Sequence, residues 1–223
     1  MNFMFWKSRK SITQLSQDIQ PSFKELKKRT RIAVIDDDTN SIPVDALKED
    51  GFSIDTFTKI DIPLLNKLKN GDFDIIILDI KGVVDPQIIK DDGLGVLHYL
   101  KEHNPMQIII ACSSNKFDPT QCMFFNLANN VLDKPITFVE CQEKLEQIIT
   151  ENMSLESRWS ALSKYLQTIQ IPEHEIHNIE KQLINKLQGK KISLEKILQH
   201  LDTHAPAYNL GMQALNLIFR LHQ

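Results

Sequence analysis

The stretch FDIIILDIKG, residues 73–82, carries the clearest structural signal in the chain. Four apolar residues run directly into Asp79, and the apolar pattern then stops. A short apolar run rich in isoleucine is typical of a strand that is buried on both faces of a sheet. A buried strand gains nothing from a carboxylate at its end. We therefore expect Asp79 to lie at the edge of the sheet, facing a functional site.

Similar runs recur along the chain and alternate with helical patterns. The predicted strands are RIAVID, FSIDTF, FDIIILD, QIIIAC and VLDKP, and the predicted helices are residues 39–51, 61–71, 92–104, 118–130 and 137–152. Strands that alternate with helices favour a parallel sheet covered by helices on both faces. We therefore predict an α/β fold for residues 31–150, a doubly wound five-stranded parallel sheet.

The sequence changes character on either side of this region. Residues 1–30 carry seven Lys and Arg against two acidic residues, which predicts an N-terminal basic helical segment that packs on the protein. A weak anchor for a membrane surface or an acidic partner is the alternative. Residues 151–223 contain four apolar-periodic segments without a strand-like run, and these predict a small all-α domain.

Unusual polar residues follow the predicted strands. The carboxyl ends of parallel strands share one edge of a sheet, so these residues are expected to lie close together. Clustered carboxylates repel one another unless a cation joins them, and oxygen ligands of this kind suit Mg²⁺. A carboxylate also serves as a phosphoryl acceptor. The residues concerned are Asp36, Asp37 and Asp38 after the first strand, Asp79 after the third, Ser113 and Ser114 after the fourth, and Lys134 after the fifth.

Residues 31–150 resemble the receiver domain of two-component response regulators, a CheY-like domain with a flavodoxin-like fold. The resemblance rests on five motifs in the family's order, namely VIDDD, IILDI, DGLGVLHYLKE, CSS and LDKP. It covers about half of the chain. Each motif is weak when taken alone, but together they form a specific pattern at sensible spacing.

The resemblance implies a role for each site residue. Asp79 is the phosphoacceptor, and Asp36 and Asp37 hold magnesium together with Asp79 and the backbone carbonyl of Lys81. Ser113 is the switch hydroxyl, and Lys134 pairs with the phosphate. The step from Lys134 to the following proline matches one that is often cis in the family. No residue is assigned as catalytic, and the protein is expected not to be an enzyme.

Two departures from the family pattern affect the site. The segment IKGVVDPQIIKDDG, which joins Asp79 to Asp92 and Gly93, is longer than in the family. This loop borders the site and is expected to shield it, bind a partner or slow access. The family often has an aromatic residue three positions before the phosphate-pairing lysine, and Val131 stands there instead. The usual aromatic swing is therefore not expected as the readout of phosphorylation.

Three functions remain open at this stage. The first is a phosphorylation switch in a phosphorelay that receives its phosphoryl group from a sensor histidine kinase or a phosphotransfer protein. The second is a degenerate receiver that acts as a protein–protein interaction module without phosphotransfer, which the long loop and Val131 favour. The third is a phosphatase of the haloacid-dehalogenase type, because DDDTN at 36–40 is similar to its motif, but Asn40 departs from it and Asp79 would have no role.

Composition narrows the partners and the location. The net charge is −3, and residues 151–223 carry eight Lys and Arg against seven acidic residues, so DNA binding is not expected. A homodimer or a protein partner bound through residues 151–223 is the preferred role for the helical domain. The chain has three cysteines without a CxxC pair and no apolar run long enough for a transmembrane segment, so we expect a reduced, cytoplasmic protein.

Overall fold

A computed structural model describes residues 11–113, 126–201 and 204–222 of the 223-residue chain. The described residues form two compact units. One unit comprises the residues from Pro21 to Met153, and the other combines the residues before Pro21 with those from Ser154 onward. No helix among the described residues is long and apolar enough to cross a membrane.

The larger unit is built on a parallel sheet of five strands within the described residues. The strand order is β2-β1-β3-β4-β5, which is the flavodoxin-like order of doubly wound folds. This order confirms the fold predicted from the alternating pattern. The strands are β1 (Arg31–Ile35), β2 (Ser53–Phe57), β3 (Ile75–Asp79), β4 (Ile108–Ser113) and β5 (Asn130–Asp133).

The three central strands are buried on both faces, as their apolar runs predict. Ile75, Ile76 and Ile77 of β3 are fully buried, and they pair in register with Ile108, Ile109 and Ile110 of β4. β1 pairs in parallel with β3 on the other side and with β2 at the edge. This pairing brings the carboxyl ends of β1, β3, β4 and β5 to one edge of the sheet.

Helices with clear sequence signals precede, connect and follow these strands. In the larger unit they are α2 (Phe23–Arg29), α3 (Val44–Glu49), α4 (Ile62–Lys69), α5 (Asp92–His103) and α6 (Phe138–Asn152). Asp61 caps α4 and accepts a hydrogen bond from the Leu64 N–H, as its position before Pro63 predicts. Thr137 and Glu140 form a capping box at the start of α6.

The helix predicted over residues 118–130 lies largely outside the described residues. Its last part is described and is not helical, because residues 126–129 form a turn and Asn130 already belongs to β5. The side chain of Asn129 holds this turn in place. Its amide oxygen accepts hydrogen bonds from the Ile109 N–H and from Lys101 Nζ, which ties the turn to the neighbouring strand and helix.

The basic N-terminal segment forms two short helices that belong to different units. Ser11 and Gln14 form a capping box at the start of α1 (Ile12–Ile19), and Ile12 and Leu15 are buried in the smaller unit. α2 belongs to the larger unit, where it packs against β2 and α6. The segment 1–30 is therefore helical where it is described, and the boundary between the units falls inside it, after Gln20.

Lys27 attaches α2 to the larger unit. Its side chain is buried, its Nζ forms ion pairs with Asp50 and, at 3.2 Å, with Glu146, and it lies 4.1 Å from the centroid of the Phe52 ring. A buried lysine is stable only when its charge is paired. The charge of Lys27 therefore fixes the position of α2 on this unit.

The smaller unit is helical, as the loss of strand-like runs after residue 150 predicts. Trp159 and Phe219 lie in its apolar core, together with leucines and isoleucines at helical spacing. Its further helices are α7 (Leu155–Thr168), α8 (Glu173–Leu187), α9 (Leu194–Ile197), a 3-10 turn (Gln199–Leu201) and α10 (Ala205–His222).

We predict that Lys27→Ala lowers the free energy of unfolding by about 1–3 kcal/mol. The change leaves two carboxylates without their cation and removes the contact with the Phe52 ring. Denaturant unfolding of the full chain measures the effect. Lys28→Ala is the matched control, because Lys28 is exposed on the same helix and its loss is expected to change stability by less than about 0.5 kcal/mol. Equal losses in the two variants would contradict the role of Lys27.

Candidate phosphoryl-transfer and metal site

The ends of β1 and β3 place three carboxylates together. Asp36 and Asp37 directly follow β1, and Asp79 is the last residue of β3. One carboxylate oxygen from each of these residues lies within 4.8 Å of the others. These strands flank the point where the strand order of the sheet reverses, which is where doubly wound folds bind their ligands. The carboxylates therefore occupy the usual ligand position of this fold.

Lys134 extends across the sheet edge to these carboxylates. Its Nζ lies 2.7 Å from Asp36 Oδ2 and 2.9 Å from Asp79 Oδ2. Lys134 follows β5, which is separated from β3 by β4, so its side chain extends past the end of β4 to reach Asp79. Its backbone N–H donates to the Ser113 carbonyl at 2.9 Å, which anchors the lysine to the end of β4. The peptide bond between Lys134 and Pro135 is cis.

Asp36 is held by further donors. Its Oδ1 accepts the Asp38 N–H at 3.0 Å, and its Oδ2 accepts the hydroxyl of Ser41 in addition to Lys134 Nζ. Asp36 is buried, so these bonds are needed to satisfy its charge. The sequence analysis did not identify Ser41, because a serine in a turn has no distinctive pattern. The structure thus gives Asp36 a fixed orientation.

The environment of Asp79 acts on its charge in two opposing ways. Burial raises the pKa of Asp79 above its ordinary value, and Lys134 opposes this rise without cancelling it. The pKa of Lys134 is also subject to two opposing effects. Burial lowers the pKa of Lys134, but its bonds to Asp36 and Asp79 outweigh burial and raise that pKa. Lys134 therefore stays charged, and it is the main group that lowers the pKa of Asp79 against the effect of burial.

Ser113 and Lys81 follow the strands β4 and β3 near this cluster. Ser113 is buried at the end of β4, one position beyond the residue that pairs with Asp79. Ser114 lies outside the described residues. Lys81 is exposed and follows Asp79 by two residues in the loop after β3. Both residues thus emerge at the edge of the sheet that carries the carboxylates.

The long loop after β3 is folded into the protein. Val83 and Val84 are buried in the apolar cluster between the sheet and helices α4 and α5. The Val83 carbonyl accepts the Ile60 N–H at 2.7 Å, and Val84 forms a parallel bridge with Ile60. This part of the loop is therefore a fixed wall beside the site.

Asp92 ties the loop to the start of α5. Its carboxylate accepts the N–H groups of Gly82, Val83 at 3.0 Å and Val84 at 3.1 Å. The sequence analysis recognised Asp92 only as part of a motif. Asp residues are common at helix starts, where they normally bind the N–H groups of their own helix, so the binding of the preceding loop by Asp92 could not be predicted.

The residues present fit a hard divalent cation. Three carboxylates supply oxygen ligands at one point, and within the described residues no other such group of His, Cys, Asp or Glu is found. Asp37 is exposed whereas Asp36 and Asp79 are buried, which leaves one side of the group open to water. Mg²⁺ prefers few carboxylates and retains several waters, so the donor set suits it.

No protein-family model matches the sequence, and no curated protein matches it. Solved structures of receiver domains are similar to about half of the chain. The response regulator protein TrrA of Thermotoga maritima, in complex with Mg²⁺-BeF, is 26% identical over 53% of this chain and 98% of that chain, with a TM-score of 0.43.

Two further structures show the same extent of likeness. A CheY-like receiver domain protein from Methanospirillum hungatei JF-1 is 22% identical over 55% of this chain and 94% of that chain, with a TM-score of 0.44. The other is the receiver domain of a sensor histidine kinase from Pseudomonas aeruginosa PAO1, with magnesium in its active-site cleft. It is 19% identical over 54% of this chain and 98% of that chain, with a TM-score of 0.45. The strand order of this chain, rather than these scores, establishes the flavodoxin-like fold of the larger unit.

We predict that Lys134→Met lowers the free energy of unfolding by an amount that depends on pH. Without the cation, the pKa of Asp79 in the folded chain is expected to rise further above its unfolded value. The folded state then binds more protons than the unfolded state between these two values, so the free energy of unfolding falls as pH rises through this interval. In metal-free buffer, we expect a loss of about 3 kcal/mol near neutral pH, because a buried pair loses one partner. The loss is expected to shrink on acidification.

The control for this prediction is Lys81→Met, which removes an exposed lysine near the same carboxylates. Its unfolding free energy is expected to follow the wild-type pH profile within about 0.5 kcal/mol. A constant difference between Lys134→Met and the wild type at every pH would show that Lys134 does not control the ionisation of Asp79.

Proposed function

We propose that the protein is a response-regulator-like phosphorylation switch in a two-component phosphorelay. Asp79 accepts a phosphoryl group from a phosphohistidine of a sensor histidine kinase or phosphotransfer protein, with Mg²⁺ as cofactor. The observation that carries this proposal is the bridge of Lys134 Nζ between Asp36 and Asp79, at 2.7 and 2.9 Å, beside Asp37. An ammonium that already contacts the acceptor carboxylate is placed to contact the oxygens of a phosphoryl group bonded to it.

The chemistry of the transfer follows from these groups. An oxygen of the Asp79 carboxylate attacks phosphorus, so a P–O bond forms while the P–N bond of the donor phosphohistidine breaks. The electron pair of that bond stays on the imidazole nitrogen. The imidazole ring takes up a proton from water and leaves as a neutral group. The product is an aspartyl phosphate, and no oxidant or reductant is needed.

Each residue has a separate part in this step. Lys134 opposes protonation of Asp79 and then neutralises phosphoryl oxygens. Mg²⁺ would be held by Asp36, Asp37, Asp79 and the Lys81 carbonyl. When bound, Mg²⁺ neutralises the charge that develops on the transferred group. Transfer of this kind depends mainly on positioning and charge neutralisation, so the site needs no general base.

The response to phosphorylation is proposed to pass through Ser113 and Lys134. The Ser113 hydroxyl binds a phosphoryl oxygen, and the hydrogen bond from the Lys134 N–H to the Ser113 carbonyl couples the ends of β4 and β5. Val131 lies on β5 where the family often has an aromatic residue, so the signal does not require an aromatic swing. Residues 151–223 then present the output as a homodimer or a protein-binding domain rather than a DNA-binding one.

This function places the protein in the cytoplasm, where kinases and acyl phosphates are found, as a switch and not as an enzyme with turnover. The net charge of −3 and the near balance of charges in residues 151–223 support a protein partner over nucleic acid. An interaction module without phosphotransfer has the same fold but predicts no modification of Asp79.

We predict that incubation of the full chain with acetyl phosphate and Mg²⁺ adds one phosphoryl group, which intact-mass spectrometry detects. Asp79→Asn is expected to abolish the addition because the acceptor oxygen is replaced by an amide nitrogen. Asp133→Asn is the matched control, since Asp133 is an exposed carboxylate at the end of β5, and it is expected to gain the same mass as the wild type.

Two results would overturn the switch. The first is a wild-type protein that gains no phosphoryl mass, and the second is an Asp79→Asn variant that gains as much as the wild type. Titration with beryllofluoride and Mg²⁺ then identifies the alternative. Unchanged backbone amide shifts around Asp79 would support an interaction module that has lost phosphotransfer.

A further inference from the structure

Asp92 binds the preceding loop from a left-handed backbone conformation that is unfavourable for most residues. Asp91 and Asp92 both have a positive φ, at 65° and 55°. Residues with a side chain enter this left-handed region at a cost, which is smaller for Asp and Asn than for other side chains. Such strain persists only where other contacts hold it, and it is frequent at functional sites. At Asp92 the contacts are the three loop N–H groups that its carboxylate accepts.

The first of these bonds fixes one particular peptide unit. The N–H of Gly82 and the carbonyl of Lys81 belong to the same planar peptide, in which they point in opposite directions. The carboxylate that accepts the Gly82 N–H therefore sets the direction of the Lys81 carbonyl. A hydrogen bond from the N–H to a charged acceptor also polarises the peptide and makes its carbonyl oxygen a stronger ligand.

Gly82 places this peptide unit directly beside the carboxylates. It has a φ of +78°, and a Cβ built on it would lie 2.2 Å from Asp37 Oδ2. The backbone of the loop is thus in close contact with the side chain of Asp37. The positive φ favours glycine, and a side chain at this position would displace the Asp37 carboxylate from its place.

Gly93, which follows Asp92 at the start of α5, is also fixed by close backbone contacts. The Gly93 N–H donates to the Ile80 carbonyl at 3.1 Å, and a Cβ on Gly93 would lie 2.1 Å from the Asp79 carbonyl oxygen. The start of α5 is therefore in contact with the backbone that follows Asp79. Residues 80–84 are held on one side by Asp92 and Gly93 and on the other by Ile60.

We propose that Asp92 is a positioning residue for the metal site: by accepting the Gly82 N–H, it orients and polarises the Lys81 carbonyl as an oxygen ligand beside Asp37 and Asp79. This inference rests on the proposed function, which assigns Mg²⁺ to these residues. Asp92 acts through the loop and does not bind the ion itself. It resembles the outer hydrogen-bonding partners that orient metal ligands in other proteins, whose loss typically weakens metal binding by 10–100-fold.

The test measures Mg²⁺ affinity of the full chain, followed through the backbone amide shifts of Asp36 and Asp37 in the absence of any phosphoryl donor. We expect Asp92→Ala to weaken the affinity by about tenfold or more. Asp92→Asn retains one acceptor oxygen, so its affinity is expected to lie between those of Asp92→Ala and the wild type. The Gly82 amide proton is expected to move upfield in both variants, and its hydrogen exchange is expected to accelerate.

The matched control is Asp91→Asn. Asp91 has the same charge and the same left-handed backbone, but it makes no side-chain bond at the start of α5. Asparagine tolerates this conformation, so Mg²⁺ affinity is expected to stay within about twofold of the wild type. Unfolding curves of all variants show whether the chain remains folded, and Asp92→Asn carries the test if Asp92→Ala does not fold.

The outcomes separate this inference from the proposed function. If Asp92 variants bind Mg²⁺ as tightly as the wild type although the Gly82 amide loses its protection, the positioning role is refuted. A wild type that does not bind Mg²⁺ overturns it as well. If the wild type binds Mg²⁺ and the Asp92 variants bind it more weakly, but acetyl phosphate adds no mass, the role of Asp92 is supported and the phosphorylation switch fails.

Discussion

Repulsion among three carboxylates at one edge of the sheet is the constraint on which the site depends. The strand order brings Asp36, Asp37 and Asp79 within 4.8 Å of one another, and two of them are buried. Such a group is stable only with a cation. Lys134 supplies a positive charge from the far side of β4, and its backbone is fixed to Ser113 for this purpose. The strand order therefore creates the repulsion among the carboxylates, and the charge of Lys134 offsets it.

The parts of the structure that could be predicted are those in which burial and periodicity act over short distances. Isoleucine runs predicted β3 and β4, because strands covered on both faces need apolar residues at every position. The placement of Asp79 and Lys134 at the same edge followed from the rule that parallel strands end together. Cap residues such as Asp61 and Thr137 marked helix starts because a side chain three positions away from its N–H partner leaves a local signal.

Other parts depend on contacts between distant residues, which a single sequence does not contain. The bonds from Asp92 to the loop and from Ser41 to Asp36 use common residue types in ordinary turns. Lys27 has the composition of a surface lysine, and only its pairing with Asp50 and Glu146, from two other elements, makes it buried. The prediction of a helix over 118–130 was wrong at its described end, because strand pairing at Asn130 outweighed local helix propensity.

The buried valines of the loop after β3 have a consequence for how this chain tolerates changes in length. Val83 and Val84 are core residues supplied by this loop, so shortening the loop at these positions would empty two places in the interior. Burial of each valine contributes about 1.5–3 kcal/mol. The loop is thus part of what keeps the domain folded, and a shorter turn in its place would admit water to the sheet beside Ile60.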